Sequence, residues 1–279
     1  NSFNLFVNRS LTVDCTDLNV TIMPDIPAHF EDFLLAGNPQ LAIHPDSFHR
    51  FTYMKFLKLP ESSVPYSDQK LLQNKTNLLE IQFPNQKITE ISPELFTNTN
   101  RLEVVEGLVV SDLPSRIFYP LTNLRDLHLR TYQSDIPEET FSHNVALRDL
   151  VLQANNMNTI PDGLFSQNPQ LKSVTLEIDS VLGISKSVFI NSTGLNWLAL
   201  SGRQLSLGCS VLPAAYKLSS RVSDVNELDA CTFSRVEYPG SIVLSRIEHL
   251  TCSDEIQMSN QIINELSVTE SHLTELAGK

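Results

Sequence analysis

The sequence is poor in the features that mark several protein classes. Nine glycines and 15 prolines in 279 residues are too few for a collagen-like or low-complexity chain. There are four cysteines and no CxxC pair, which excludes a zinc ribbon or a thioredoxin-type redox site. Twenty Lys and Arg face 32 Asp and Glu, a formal charge of −12, and the basic residues form no cluster. Such a chain is a poor ligand for nucleic acid or for an anionic membrane surface. No apolar run approaches ~18 residues, so no membrane-inserting helix is expected. GxSxG, HExxH, GxxxxGK[ST] and GxGxxG are all missing, so neither catalysis nor a metal nor a cofactor is expected. The chain is nonetheless 41% hydrophobic, enough to build the core of one or two domains.

What the sequence does contain is a beat. Leu147, Leu150, Leu152, Asn155, Met157 and Ile160 are matched 24 residues later by Leu171, Val174, Leu176, Asp179, Val181 and Ile184. The same phase starts at Phe30, Met54, Leu78, Leu102, Leu124, Leu147, Leu171 and Leu195, in steps of 24, 24, 24, 22, 23, 24 and 24. It weakens afterwards but continues at Ala215, Pro239 and Ile263, giving eleven starts. An aromatic stands six residues before the next start at Phe48, Phe96, Phe118, Phe141, Phe165 and Phe189, and Phe233 repeats that offset.

This is the leucine-rich repeat pattern, LxxLxLxxNxLxxL. Its physical logic is that one unit cannot bury its own apolar face, whereas stacked units bury it together. The expected fold is an α/β solenoid, a horseshoe with a parallel sheet on the concave face and irregular, 3-10 or short helical segments on the convex side. The asparagine of the pattern is kept at Asn38 and Asn155, approximated by Asp179 and Gln86, and lost at Tyr132, Val110 and Arg203, so irregular turns are expected. A tight return loop is expected at 207–213. Residues 1–29 read as an N-terminal cap, because Phe3, Leu5, Val7 and Leu11, Val13, Cys15 alternate about a polar turn like a β-hairpin. Residues 30–279 read as the solenoid. Its end shows no terminal cap, so the chain is expected to be part of a longer protein.

In such a sheet the third, fifth and seventh residues of each unit face solvent. Seven of those 33 positions are acidic and four are Lys or Arg, so the face is mildly negative. Large apolar residues fall among them, and exposed apolar groups amid polar neighbours suit a protein interface. The expected ligand-binding set is Phe56, Lys58, Glu80, Val104, Glu106, Leu108, Asp126, His128, Arg130, Asp149, Val151 and Trp197. Asp126 and Asp149 should be neighbours across strands. Four sequons, at Asn8, Asn19, Asn74 and Asn191, point to a secreted glycoprotein. Cys209, Cys231 and Cys252 recur at similar phase and are disulfide candidates; buried free thiols are the alternative. Cys15 lies too many coils away to join them.

The Ile-Pro-plus-Phe repeats, such as Ile160-Pro161-Asp162-Gly163-Leu164-Phe165, resemble the typical extracellular animal class. Within that class Asp112-Leu113-Pro114-Ser115-Arg116-Ile117-Phe118 and Asn123 to Arg130 resemble invertebrate Toll receptor ectodomains. The cap with its lone Cys15 does so too. The resemblance implies the ectodomain of a type I membrane receptor at the cell surface. It also implies a cytokine-like protein ligand, a cystine-knot dimer of the Spätzle type, and signalling through a receptor homodimer or heterodimer. The alternative is a soluble secreted leucine-rich repeat protein, immune or carrier, that complexes another extracellular protein.

Overall fold

The computed structural model describes residues 11–178 except 63 and 158, and beyond them 180–181, 188–189, 191–195, 197–201, 204–205 and 241–243. Strands are β1 (Thr12–Asp14), β2 (Asp32–Leu34), β3 (Phe56–Lys58), β4 (Glu80–Gln82), β5 (Lys87–Ile88), β6 (Val104–Val110), β7 (Asp126–Thr131), β8 (Asp149–Ala154), β9 (Ser173–Glu177), β10 (Ser180–Val181), β11 (Trp197–Ser201), β12 (Gln204–Leu205) and β13 (Ser241–Val243). One 3-10 turn, η1 (Gln69–Leu72), is the sole helical element among the described residues. The sheet runs β1-β2-β3-β4-β6-β7-β8-β9-β11-β13, with β5 beside β6. From β1 to β11 its neighbours are parallel and nearly in register. This is a leucine-rich repeat solenoid, its convex side built of turns.

Every strand from β2 to β11 along this parallel path opens two residues after one of the eight well-marked starts. A chain of backbone bonds fixes that phase. The N–H just after each of the first seven starts donates to the same station of the preceding coil: Glu31 to Leu11, Lys55 to Glu31, Leu79 to Lys55, Glu103 to Leu79, Arg125 to Glu103, Arg148 to Arg125 and Lys172 to Arg148, all at 2.7–2.8 Å. The alternation then follows. Phe33, Leu57, Ile81, Val105, Leu127, Leu150, Val174 and Leu198 all point inward and are buried.

The six-residue aromatic offset also has a cause. Two successive three-residue turns carry the chain from the Phe to the next start. In one coil Asn144 N–H donates to Phe141 O and Leu147 N–H to Asn144 O; in the next, Asn168 donates to Phe165 and Leu171 to Asn168. The rings therefore stack. Phe96–Phe118, Phe118–Phe141, Phe141–Phe165 and Phe165–Phe189 have centroids 6.4, 5.9, 5.9 and 5.3 Å apart. The corner residue between the two turns is buried in seven successive coils: Phe51, Lys75, Thr99, Leu121, Asn144, Asn168 and Ser192. Asn144 Nδ2 donates to Phe118 O and Leu121 O at 2.8 Å, and Asn168 Nδ2 to Phe141 O and Asn144 O at 3.0 and 2.8 Å. Each amide thus gives turn carbonyls of the preceding coil a second hydrogen bond beside the one made within the turn, and so ties coil to coil.

The asparagine expected after the strand behaves as foreseen only once. Asn38 is fully buried, donates to Cys15 O, Leu35 O and Ala36 O, and accepts from Val20 N–H. Asn155 is exposed. There β8 runs on to Ala154, paired with Thr131 of β7, and the longer ladder satisfies the backbone that an asparagine would otherwise serve.

Two further expectations need correction. β6 carries a bulge between Val105 and Leu108. Gly107 sits there at φ +68, and a Cβ on it would lie 2.6 Å from Phe83 O. The extra residue flips the alternation, so Leu108, expected on the solvent face, is fully buried. The second correction concerns Pro239 to Leu244, expected as a parallel strand one coil removed from Leu195. Ser241–Val243 instead pairs antiparallel with β11 itself. An open sheet edge accepts either direction, and antiparallel pairing is slightly the stronger. The hairpin strand at residues 3–7, the loop at 207–213, Cys209, Cys231, Cys252 and the starts at Ala215 and Ile263 lie outside the described residues. Thr12–Asp14, the inner half of the expected cap hairpin, extends the parallel sheet.

Lys75 is the anomaly of the corner row. It is fully buried, its Nζ donates to Gln73 O at 2.9 Å, and burial lowers its pKa from 10.5 to about 8. The unfolded chain therefore holds that proton more tightly than the native one. Lys75→Met should raise the unfolding free energy at pH 7 by ~1 kcal/mol or more. The gain should shrink as pH rises through 8 toward 10. Urea unfolding at several pH values checks both.

Candidate functional site: the concave face

The outward row of the strands runs Asp32, Phe56, Glu80, Val104, Asp126, Asp149, Ser173 and Trp197, each the register partner of the next. A second row runs His128, Val151, Thr175 and Ala199, with Lys58, Gln82 and Glu106 nearer the start. Eleven of the twelve expected residues therefore lie on one surface; Leu108 does not. Trp197 is 42% exposed. Glu106 and Asp149 are exposed too, and Phe56, Lys58, Glu80, Val104, Asp126, His128, Arg130 and Val151 are half-buried. Six strand spacings separate Phe56 from Trp197, roughly 29 Å. The two aromatics thus flank the face rather than share one hot spot.

Between them five polar side chains are already paired. Arg130 Nε donates to Gln153 Oε1, and Gln153 Nε2 to Glu177 Oε2 at 2.6 Å. Gln82 Nε2 donates to Glu80 Oε1 at 2.7 Å. Gln153, Glu177 and Gln82 were not singled out from the sequence. Gln82 reaches two residues back along its own strand, whereas the signal for Gln153 and Glu177 was an outward position in line with a matched neighbour one repeat away. Such cross-strand pairs fix side-chain positions before a partner arrives. Along the neighbouring edge Lys55–Glu31 and Arg125–Glu103 pair at 2.8 Å.

Asp126 and Asp149 are register partners, as their spacing predicts. Burial, then a hydrogen bond and the charge of Asp149, raise the Asp126 pKa from 3.8 to about 6 against the opposing pull of Arg125 and Arg148. Two carboxylates at strand spacing favour holding one proton between them.

The repeat assignment extends beyond geometry. The BspA type leucine rich repeat region matches residues 37–108 and 108–209, in six copies. This chain belongs to that leucine-rich repeat family. Among curated proteins no sequence matches it. Three solved structures share the family's fold. Toll of Drosophila, in its complex with Spatzle, is 20% identical over 66% of this chain and 25% of its own, with a TM-score of 0.56. TLR13 in complex with ssRNA13 is 18% identical over 64% of this chain and 26% of its own, at 0.51. Human 5T4, the Wnt-activated inhibitory factor 1 or trophoblast glycoprotein, is 19% identical over 87% of this chain and 94% of its own, at 0.56. The matched part of this chain spans about a quarter of the Toll and TLR13 chains. These likenesses show the repeat fold. Among the described residues no helix is long and apolar enough to cross a membrane.

The sequons sit away from the sheet. Asn74 and Asn191 each stand four residues before a strand start, at one shared convex station, and both are exposed. Asn19 is exposed in the turn after β1. Asn8 lies outside the described residues. Cys15 is buried and unbridged, and burial, with the charge of Asp14, raises its thiol pKa.

Because the folded chain holds the Asp126 proton more tightly than the unfolded one, native stability should fall as pH rises from about 4 to about 6. Asp149→Asn should move the Asp126 midpoint down toward the ordinary aspartate range and flatten that slope. Carboxyl-carbon NMR titration reads the midpoint, and urea unfolding reads the slope.

Proposed function

We infer that the chain is the ligand-binding part of an extracellular leucine-rich repeat receptor of Toll type. Its concave sheet would hold a protein partner, a cystine-knot cytokine of the Spätzle kind, and binding would draw two receptor chains together. Phe56 and Trp197 carry this reading. They are large aromatics set outward in one register row, with Val104 between them and Val151 beside it, on an otherwise polar sheet. Partly exposed aromatics in a polar rim are the usual anchors of a protein interface. The pre-paired Arg130, Gln153 and Glu177 supply polar contacts at little ordering cost. The formal charge of −12 and the acids between Glu80 and Asp149 favour a protein partner with a basic surface over a nucleic acid.

The compartment reading rests on the exposed sequons, with glycans on the convex side leaving the sheet open. The division into a cap over 1–29 and a solenoid from 30 onward, and bridging among Cys209, Cys231 and Cys252, belong to the same proposal.

Binding of the purified chain to a Spätzle-type cytokine, followed by size measurement of the complex, tests the function. Trp197→Ala or Phe56→Ala should weaken that binding about tenfold or more while lowering the melting temperature by only a few degrees. Unchanged affinity in both variants would move the site to a lateral edge. For the compartment, chain secreted from animal cells should lose mass at Asn74 and at Asn191 on enzymatic deglycosylation; no loss at either site refutes the glycoprotein assignment.

A further inference from the structure

In the sequence the basic residues form no cluster; winding the chain makes one. Arg101, Arg125, Arg148 and Lys172 lie 24, 23 and 24 residues apart, one to a coil. Arg148 N–H donates to Arg125 O and Lys172 N–H to Arg148 O, both at 2.8 Å. Three of the four side chains therefore leave one backbone station side by side, at about 4.8 Å per coil. Arg101 stands at the adjoining station of the coil before. All four are exposed. They line the edge of the sheet where the strands begin, outside the concave rows.

This edge is opposite in sign to the chain's net charge. The residues directly before and after Leu102, Leu124, Leu147 and Leu171 include four cations and one acid, Glu103. Off the concave face, the exposed acids of these coils are Asp112, Asp135, Glu138, Glu139 and Asp162, and they stand in the turns after β6, β7 and β8, where strands end. Like charges on neighbouring strands repel, and the folded chain relieves only part of that. Glu103 pairs with Arg125 at 2.8 Å, and Arg101 Nη1 donates to Asn77 Oδ1 at 3.1 Å. Among the described residues no salt bridge takes up Arg148 or Lys172. Asp126 feels the pull of Arg125 and Arg148, but it belongs to the concave row, beside Asp149.

The layout selects among polyanions. From Arg101 to Lys172 the line runs roughly 14 Å, and no aromatic stands at its stations. It therefore lacks the anchors on which protein interfaces depend and the platforms on which single-stranded bases stack. What it offers is charge at a short, regular interval. An extended acidic peptide presents side chains on one face only every ~6.8 Å, out of step with the coils. A sulfated polysaccharide carries an anion on nearly every ring, and its ring repeat is close to the strand spacing of about 4.8 Å. Guanidinium forks also match tetrahedral oxyanions such as sulfate.

We propose that this edge, from Arg101 to Lys172, binds a linear sulfated polysaccharide of the glycosaminoglycan kind. The proposal goes beyond the concave-face reading and shares with it only the extracellular compartment. A polysaccharide lying along the edge leaves the sheet open to its own partner.

The test is fluorescence anisotropy of a labelled heparin hexasaccharide titrated with the full chain, with a Glu-rich peptide of equal charge as the contrasting probe. Heparin should bind more tightly than the peptide, and its affinity should fall steeply as salt rises. Arg148→Gln and Lys172→Gln should each weaken the heparin complex about threefold, and together about tenfold. Lys70→Gln, the same change of charge in η1 on the convex side, should leave it unchanged. Both edge side chains are exposed and outside any salt bridge. Melting temperatures should therefore stay within a few degrees, and a loss of binding cannot be attributed to unfolding. The double variant should keep its affinity for the cytokine tested on the concave face, so the two readings fail separately. No binding of heparin, binding that the peptide matches, binding unmoved by the double substitution, or an equal loss in Lys70→Gln would overturn the proposal.

Discussion

Each coil of this protein leaves backbone groups that only the next coil can satisfy. The bond from one post-start N–H to the previous post-start carbonyl, repeated from Leu11 to Lys172 at 2.7–2.8 Å, is the constraint behind the rest. It locks the phase of every strand. The phase decides which residues face the core and which face solvent, and hence what the concave surface can be. A slip of one residue in any coil would turn its whole outward row inward.

That constraint explains why so much of the fold is legible. A periodic backbone demands a periodic core, so the leucines announce the coils, and the eight marked starts sit at one fixed distance from eight observed strands. The aromatic offset of six was legible as a pattern, but its cause, two stacked three-residue turns, was not. The corner row hid for the same reason. Lys75, Thr99, Asn144 and Ser192 share a station without sharing a chemistry, because what the corner requires is burial and a donor for a turn carbonyl. A leucine, a hydroxyl, an amide and even an ammonium each meet part of that need. Asn155 misled in the opposite direction. It has the residue type of the motif but not its environment, since β8 extends past the point where the amide would have turned inward.

The candidate face was legible to the extent that alternation held. It held everywhere except at β6, where Gly107 adopts a left-handed φ of +68 and Phe83 O closes off any side chain. The glycine stood in the sequence at an inward position of the motif, where a side chain is normally needed to fill the core. That was the local clue that Leu108 would be recruited inward in its place. The polar partners Gln153 and Glu177 were invisible for a different reason: pairing across strands depends on side-chain reach as well as on register.

The spacing of the aromatics constrains how a partner can sit. Trp197 and Phe56 lie roughly 29 Å apart along the row, too far for a single inserted side chain to bridge. The surface between them holds polar groups bonded to one another, with Asp126 and Asp149 side by side near its middle. A partner that touched only the centre would meet prepositioned polar groups but no aromatic anchor. One that reached both ends would gain two apolar anchors while leaving the paired centre largely undisturbed. The geometry therefore favours an elongated protein surface with two apolar contacts over a compact ligand held at the middle of the arc.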